Sequence, residues 1–169
     1  MVSGATREHL KHEALVSGLS NALFNGIIAW FLIRSGPALQ WGGEHSFAID
    51  VTATALLLPL IVALIVIPLQ RSKQKKGKLQ TMSLGPESPI QCLANLLPYS
   101  TGKSAIVFGL VGMLVIAPTT LLGFYLLGVT EIAPLHYAIF KGLWAGSMAA
   151  VLVLPMVLVA LRKTGKELA

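Results

Sequence analysis

The sequence predicts an all-α integral membrane protein with four transmembrane helices and both termini on the cytoplasmic side. Three observations predict it. Four apolar stretches run over residues 14–33, 47–69, 104–128 and 135–161. A stretch of roughly 20 apolar residues matches the ~30 Å hydrocarbon core at a rise of ~1.5 Å per residue. Backbone polar groups must be satisfied inside lipid, so such stretches are read as helices. The apolar fraction is 54% and the charged fraction only 12%, about half the charge of an ordinary soluble domain. The cationic residues are also segregated. Eleven lie before the first stretch, between the second and third, or after the fourth, while Arg34 stands alone in the other two connections. That is the positive-inside pattern, and it predicts an N-in/C-in protein of a bacterial inner membrane.

The elements follow in order. Residues 1–13 form a cytoplasmic lead-in with Arg7 and Lys11, and His9, His12 and Glu13 make a His-x-x-His-Glu sequence at its end. Three potential metal ligands stand together there, but no second cluster completes a site. We read the segment as a solvated helix start and expect no metal. The first apolar stretch is too long for a cleavable signal and is closed by Trp30, Phe31 and Arg34, so it is expected to stay in the membrane.

Within this first helix Ser17, Asn21 and Asn25 recur every fourth residue and form one polar stripe. Gly18, Ala22, Gly26 and Ala29 form a small-residue stripe beside it. The polar face must be buried in protein or line an aqueous path. Two readings follow: interhelical hydrogen bonding, or a polar site. The string from Asn21 to Trp30 resembles the first helix of small bacterial membrane proteins labelled permease, a likeness that implies transport.

The second helix carries Asp50, Thr52 and Thr54, and a basic tract from Arg71 to Lys78 follows it directly. This tract is read as a topological anchor that attracts anionic lipid. Residues 90–98 then place apolar side chains at 90, 93, 94, 96 and 97, a spacing for a short interfacial helix started by Pro86 and Pro89 and ended by Pro98. Pro59, Pro118 and Pro155 fall inside three of the membrane helices as expected bends, and Thr119 and Thr120 can satisfy a carbonyl that Pro118 frees. The fourth helix has a second small stripe, Gly142, Gly146 and Ala150, with Lys141 beside it. Gly142-x-x-x-Gly146 predicts tight packing of the first and fourth helices, within one chain or across a dimer. Trp30, Trp41, Tyr125, Tyr137 and Trp144 are read as an aromatic belt.

The domain plan is thus a lead-in (1–13), a first helix pair (14–69), a basic loop (70–103), a second helix pair (104–161) and a basic tail (162–169). Short matches at offsets of 90 and 91 residues, such as 14–19 with 105–110, suggest two tandem two-helix units; shared membrane composition is the alternative. Asp50 and Lys141 are related by the same offset, and are read as interfacial charges, a structural pair or part of a site.

Several functions are excluded or disfavoured. Cys92 is the only cysteine, which rules out a thiol oxidase that needs paired thiols. No nucleophile–base pair or nucleotide loop is visible, so no enzymatic activity and no cofactor are expected. The embedded glutamate of small multidrug exporters is missing, as is the signature of the small subunit of tripartite carboxylate transporters. The net charge of +6 sits at membrane edges and is not read as nucleic-acid binding. The preferred expectation is a permease-like protein, as a homodimer or in a larger membrane complex. It moves a small solute or ion along a path lined by Ser17, Asn21, Asn25, Asp50, Thr54 and Lys141. The alternative is a non-transporting scaffold or accessory subunit packed through the first and fourth helices.

Overall fold

The computed structural model describes residues 4–85 and 87–162. It contains four helices long and apolar enough to cross a membrane: α1 (Gly4–Ile33), α2 (Phe47–Lys75), α4 (Thr101–Leu126) and α5 (Pro134–Leu161). A short helix, α3 (Pro89–Leu96), precedes α4. Two-residue strands β1 (Leu39–Gln40) and β2 (Glu131–Ile132) occupy the connections α1–α2 and α4–α5. They pair antiparallel, Leu39 with Ile132 and Gln40 with Glu131, and tie these connections together at one end of the molecule. Period-two strands this short leave no pattern in the sequence, and the pairing was not anticipated.

The long helices pack side by side in the order α1, α5, α2, α4. The helices joined by the two short connections are therefore not the main packing pairs: α1 leans on α5, and α4 leans on α2, the long helix before it. The central helix α5 is the most enclosed, with 61% of its apolar window buried, against 11% for the edge helix α1. Glycine sets both outer seams. In the α1–α5 seam a Cβ on Gly146 would stand 2.7 Å from the Gly18 carbonyl, and one on Gly142 2.8 Å from that of Ala22. Gly26 and Ala150 complete this seam. In the α2–α4 seam, Gly109 lies against the Leu56 carbonyl and Gly112 directly on the Ala55 carbonyl.

Helix ends extend or retract from the apolar stretches for local reasons. Helix α2 continues to Lys75, past Pro68, and ends with Gly77 at φ +70°. Lys78 N–H bonds the Lys73 carbonyl and Gly77 N–H that of Gln74, the paired bonds of a glycine-capped terminus. Gly128 (φ +66°) ends α4 by the same bonds to Phe124 and Tyr125. Helix α4 also carries a π-helical turn at Gly112–Ile116, where Ala117 N–H reaches the Gly112 carbonyl. Just beyond it, Thr119 and Thr120 hydroxyls donate to the Val115 and Ile116 carbonyls. Neither is the carbonyl that the missing N–H of Pro118 leaves open, which lies four or five residues before the proline.

The loop between α2 and α4 is folded onto the bundle. Ala94 of α3 is fully buried, and Met82 N–H bonds the Leu161 carbonyl at the end of α5. Arg162 donates to the Ala94 and Leu97 carbonyls, which are otherwise open at the C-terminus of α3. Pro86, expected at the start of α3, lies outside the described residues, as does the tail beyond Arg162.

Candidate functional site

The polar side chains collect at two levels. Near the β end, Asp50 sits in the first turn of α2, whose N-terminus is capped by Ser46 accepting from Ile49 N–H. An acidic residue there is favoured by the helix dipole. Lys141 of α5 donates to both carboxylate oxygens of Asp50, at 2.7 Å each. Tyr137, one turn earlier on the same face of α5, donates its hydroxyl to Asp50 as well. The Lys141 side chain is 13% exposed and that of Asp50 37%. The three groups thus form a charge-neutral cluster that is closed on the α5 side and open at the carboxylate. Of the three readings of these charges, the structure shows a bonded pair.

Tyr137 is the residue missed from the sequence. It was read as part of an aromatic belt, yet it is fully buried. Its spacing of four from Lys141 was the available signal. Other expected belt residues also point inward. Trp41, Phe47, Phe124, Phe140 and Trp144 form a chain of rings with centroids 4.8–5.9 Å apart. The indole of Trp41 donates to the Val129 carbonyl and that of Trp144 to Thr120. Tyr125, by contrast, is exposed.

The stripe on α1 is half-buried. Its amides do not cross to another helix: Asn21 donates to the Ser17 carbonyl and Asn25 to that of Asn21. Only Ser17 reaches out, to the Ala149 carbonyl of α5 at 3.5 Å. The expectation of interhelical amide bonds is therefore corrected. A long helix offers carbonyls at i−4 with no cost in approach, and that local partner wins. Geometry also assigns the stripe a side. Leu19, Leu23 and Ile27 border an apolar groove with Leu135, Ile139 and Leu143 on one flank of the α1–α5 seam. Asn21 and Asn25 occupy the opposite flank of α1, on the side where α5 turns Lys141 toward α2. Thr54, one turn beyond Asp50, is half-buried and takes no part in the hydrogen bonds of the cluster.

The second polar level lies at the other end of α1 and α2. His9 bonds the buried Gln70 at 3.2 Å, and Lys73 bonds Glu13 at 3.2 Å. The described part of the lead-in, from Gly4, is thus a largely exposed helix start, the first turns of α1, which His9 and Glu13 tie to α2. Glu13 is committed to Lys73 and His12 is exposed. Among the described residues no group of three His, Cys, Asp or Glu side chains is placed to hold a metal ion. The basic tract is likewise divided. Arg71 bonds Thr101 and the Tyr99 carbonyl and stacks on the Tyr99 ring at 4.0 Å, while Lys75, Lys76 and Lys78 are exposed.

Two pairings share one spacing: Gln40 with Glu131 in the sheet and Asp50 with Lys141 in the cluster are each 91 residues apart. The glycine seams do not keep it throughout. Ala55 and Pro59 precede Gly146 and Ala150 by 91 residues, but the glycines they receive, Gly112 and Gly18, are 94 apart. Comparison with protein-family models, with curated proteins and with solved structures gives no match.

Proposed function

We propose that the chain is a small permease-like membrane protein that moves a small polar solute or ion, with its site at the junction of two duplicated halves. The observation that carries this reading is the Asp50–Lys141–Tyr137 cluster. An ionisable pair within apolar helices is costly and is by default a candidate for a solute or proton path. Here the carboxylate is the accessible member, so a cation or hydrogen-bond donor competes with Lys141 for it. The spacing that the two pairings share supports a duplication, and sites in proteins built from parallel repeats lie where the repeats meet. The positive-inside distribution supports an N-in/C-in arrangement in an inner membrane. Asn21 and Asn25 on the thinly covered α1 support a homodimer, because a second copy shields polar groups that one chain leaves facing lipid.

The test is flux into proteoliposomes of a panel of monovalent ions and small neutral polar solutes. Asn21→Leu and Asn25→Leu are expected to remove flux while leaving folding and abundance unchanged. The scaffold reading is favoured by one observation, the local satisfaction of both amides. It predicts no flux for the unaltered protein and a phenotype that follows abundance.

A further inference from the structure

Arg162 ends α5 beneath the loop that carries α3. Between this arginine, the loop and the inward edge of α3 lies a cleft of ≈ 230 Å³, lined by Thr81, Met82, Ser83, Gln91, Asn95 and Arg162. Its polar groups are mostly donors, and no carboxylate is among the described residues that line it. Gln91 is buried and holds the wall in place, accepting from Leu84 N–H and donating to the Asn95 side-chain oxygen. That bond turns the Asn95 amide nitrogen free to donate elsewhere. Ser83 accepts from Gly85 N–H, which leaves its hydroxyl hydrogen for a ligand. The guanidinium adds a full positive charge, oriented by its bonds to the Ala94 and Leu97 carbonyls.

A cation among several free donors fits a phosphate, whose oxygens accept from many directions. The surroundings choose the source. Leu93 and Leu96 of α3 are exposed, at 45% and 84%, on faces turned away from the cleft. Such an amphipathic helix lies in the interface with its leucines among acyl chains, and this depth puts the cleft at the level of lipid head groups. We propose that the cleft binds the phosphate of an anionic phospholipid head group, a built site separate from the exposed lysines of the basic tract. The inference is independent of whether the protein transports anything.

Native mass spectrometry of the full chain, released from nanodiscs of phosphatidylcholine with a minor share of phosphatidylglycerol, tests it. The unaltered protein is expected to retain one phosphatidylglycerol. Asn95→Asp keeps an oxygen for Gln91 but places a negative charge at the cleft, and is expected to weaken retention roughly tenfold. Asn95→Lys is expected to strengthen it, which preserves the test should the first variant fold poorly. Replacing Lys75, Lys76 and Lys78 with Gln is expected to leave retention intact. Equal retention of both lipids, or loss in the triple-Gln variant with none in Asn95→Asp, overturns the site. Displacement of the lipid by excess inorganic phosphate overturns the lipid assignment in favour of a free phosphate.

Discussion

Lys141→Met is expected to destabilise the protein by about 2 kcal/mol. The substitution keeps most of the side-chain volume and removes the charge, leaving the Asp50 carboxylate with Tyr137 as its one remaining side-chain partner among the described residues. Breaking a fully buried ion pair costs ~3–5 kcal/mol. The lower figure applies because Asp50 is 37% exposed and lies in the first turn of α2, close to polar surroundings that can take up part of its charge. Unfolding followed in detergent micelles measures the effect. Tyr137→Phe removes one neutral donor and is expected to cost about 1 kcal/mol. Exchanging the two charges, Asp50→Lys with Lys141→Asp, is expected to recover at least half of what either single substitution loses. Additive losses in that double variant would show that the two residues contribute independently, and the cluster would then be an incidental contact. Flux separates stability from function: under the permease reading the exchanged variant folds but transports less, because the accessible group has become a cation.

The second large effect is expected at Gly112. An added Cβ there falls on the Ala55 carbonyl oxygen and also meets the Pro59 ring at 3.1 Å. Neither neighbour can yield as a flexible side chain can. Helices α2 and α4 must separate, or the π-helical turn at Gly112–Ile116 must rearrange. Gly112→Ala is therefore expected to cost about 3 kcal/mol, the upper end for overpacking. Gly123→Ala, with no atom within 4 Å of the added carbon, is expected to be neutral or slightly stabilising, since alanine favours helix. Parallel melts of the two variants check this. Equal behaviour would mean that the α2–α4 seam is looser than its geometry indicates. Gly146→Ala is expected to fall between them, because its neighbours are the Ala22 side chain and the Gly18 carbonyl, both on an edge helix that can shift outward.

These positions also show which features were legible in the chain. Four apolar stretches follow from composition alone, because lipid imposes length and hydrogen-bond closure on any segment that crosses it. The spacing of Gly142 and Gly146, and of Gly18, Ala22 and Gly26, was equally readable, since helical periodicity places such residues on one face before any partner is known. Gly109 and Gly112 escaped notice although Ala105, Gly109 and Gly112 share one face, because apolar residues crowd that helix on every side. The significance of Gly112 comes from what lies opposite. Tyr137 was misread for a related reason. An aromatic near a helix end looks alike whether it faces lipid or a carboxylate, and only the neighbour decides. The asparagines show the reverse case: of the two readings of the polar stripe, amide bonds to a partner helix are not what forms, because carbonyls one turn back on the same helix supply acceptors without a second helix coming close.

The sequence by itself determined that the chain has four helices long and apolar enough to cross a membrane, where the apolar part of each lies, and which faces carry small or polar side chains. Those properties are local or set by the solvent, and every segment expresses them independently of the others. The tertiary structure alone decided that α5 lies between α1 and α2 and that the α1–α2 and α4–α5 connections meet as a sheet. It alone brought Asp50, Lys141 and Tyr137 into one cluster and laid α3 against Arg162. Those outcomes depend on contacts between residues as much as 132 positions apart. They are selected by close packing between particular surfaces, which no single segment carries.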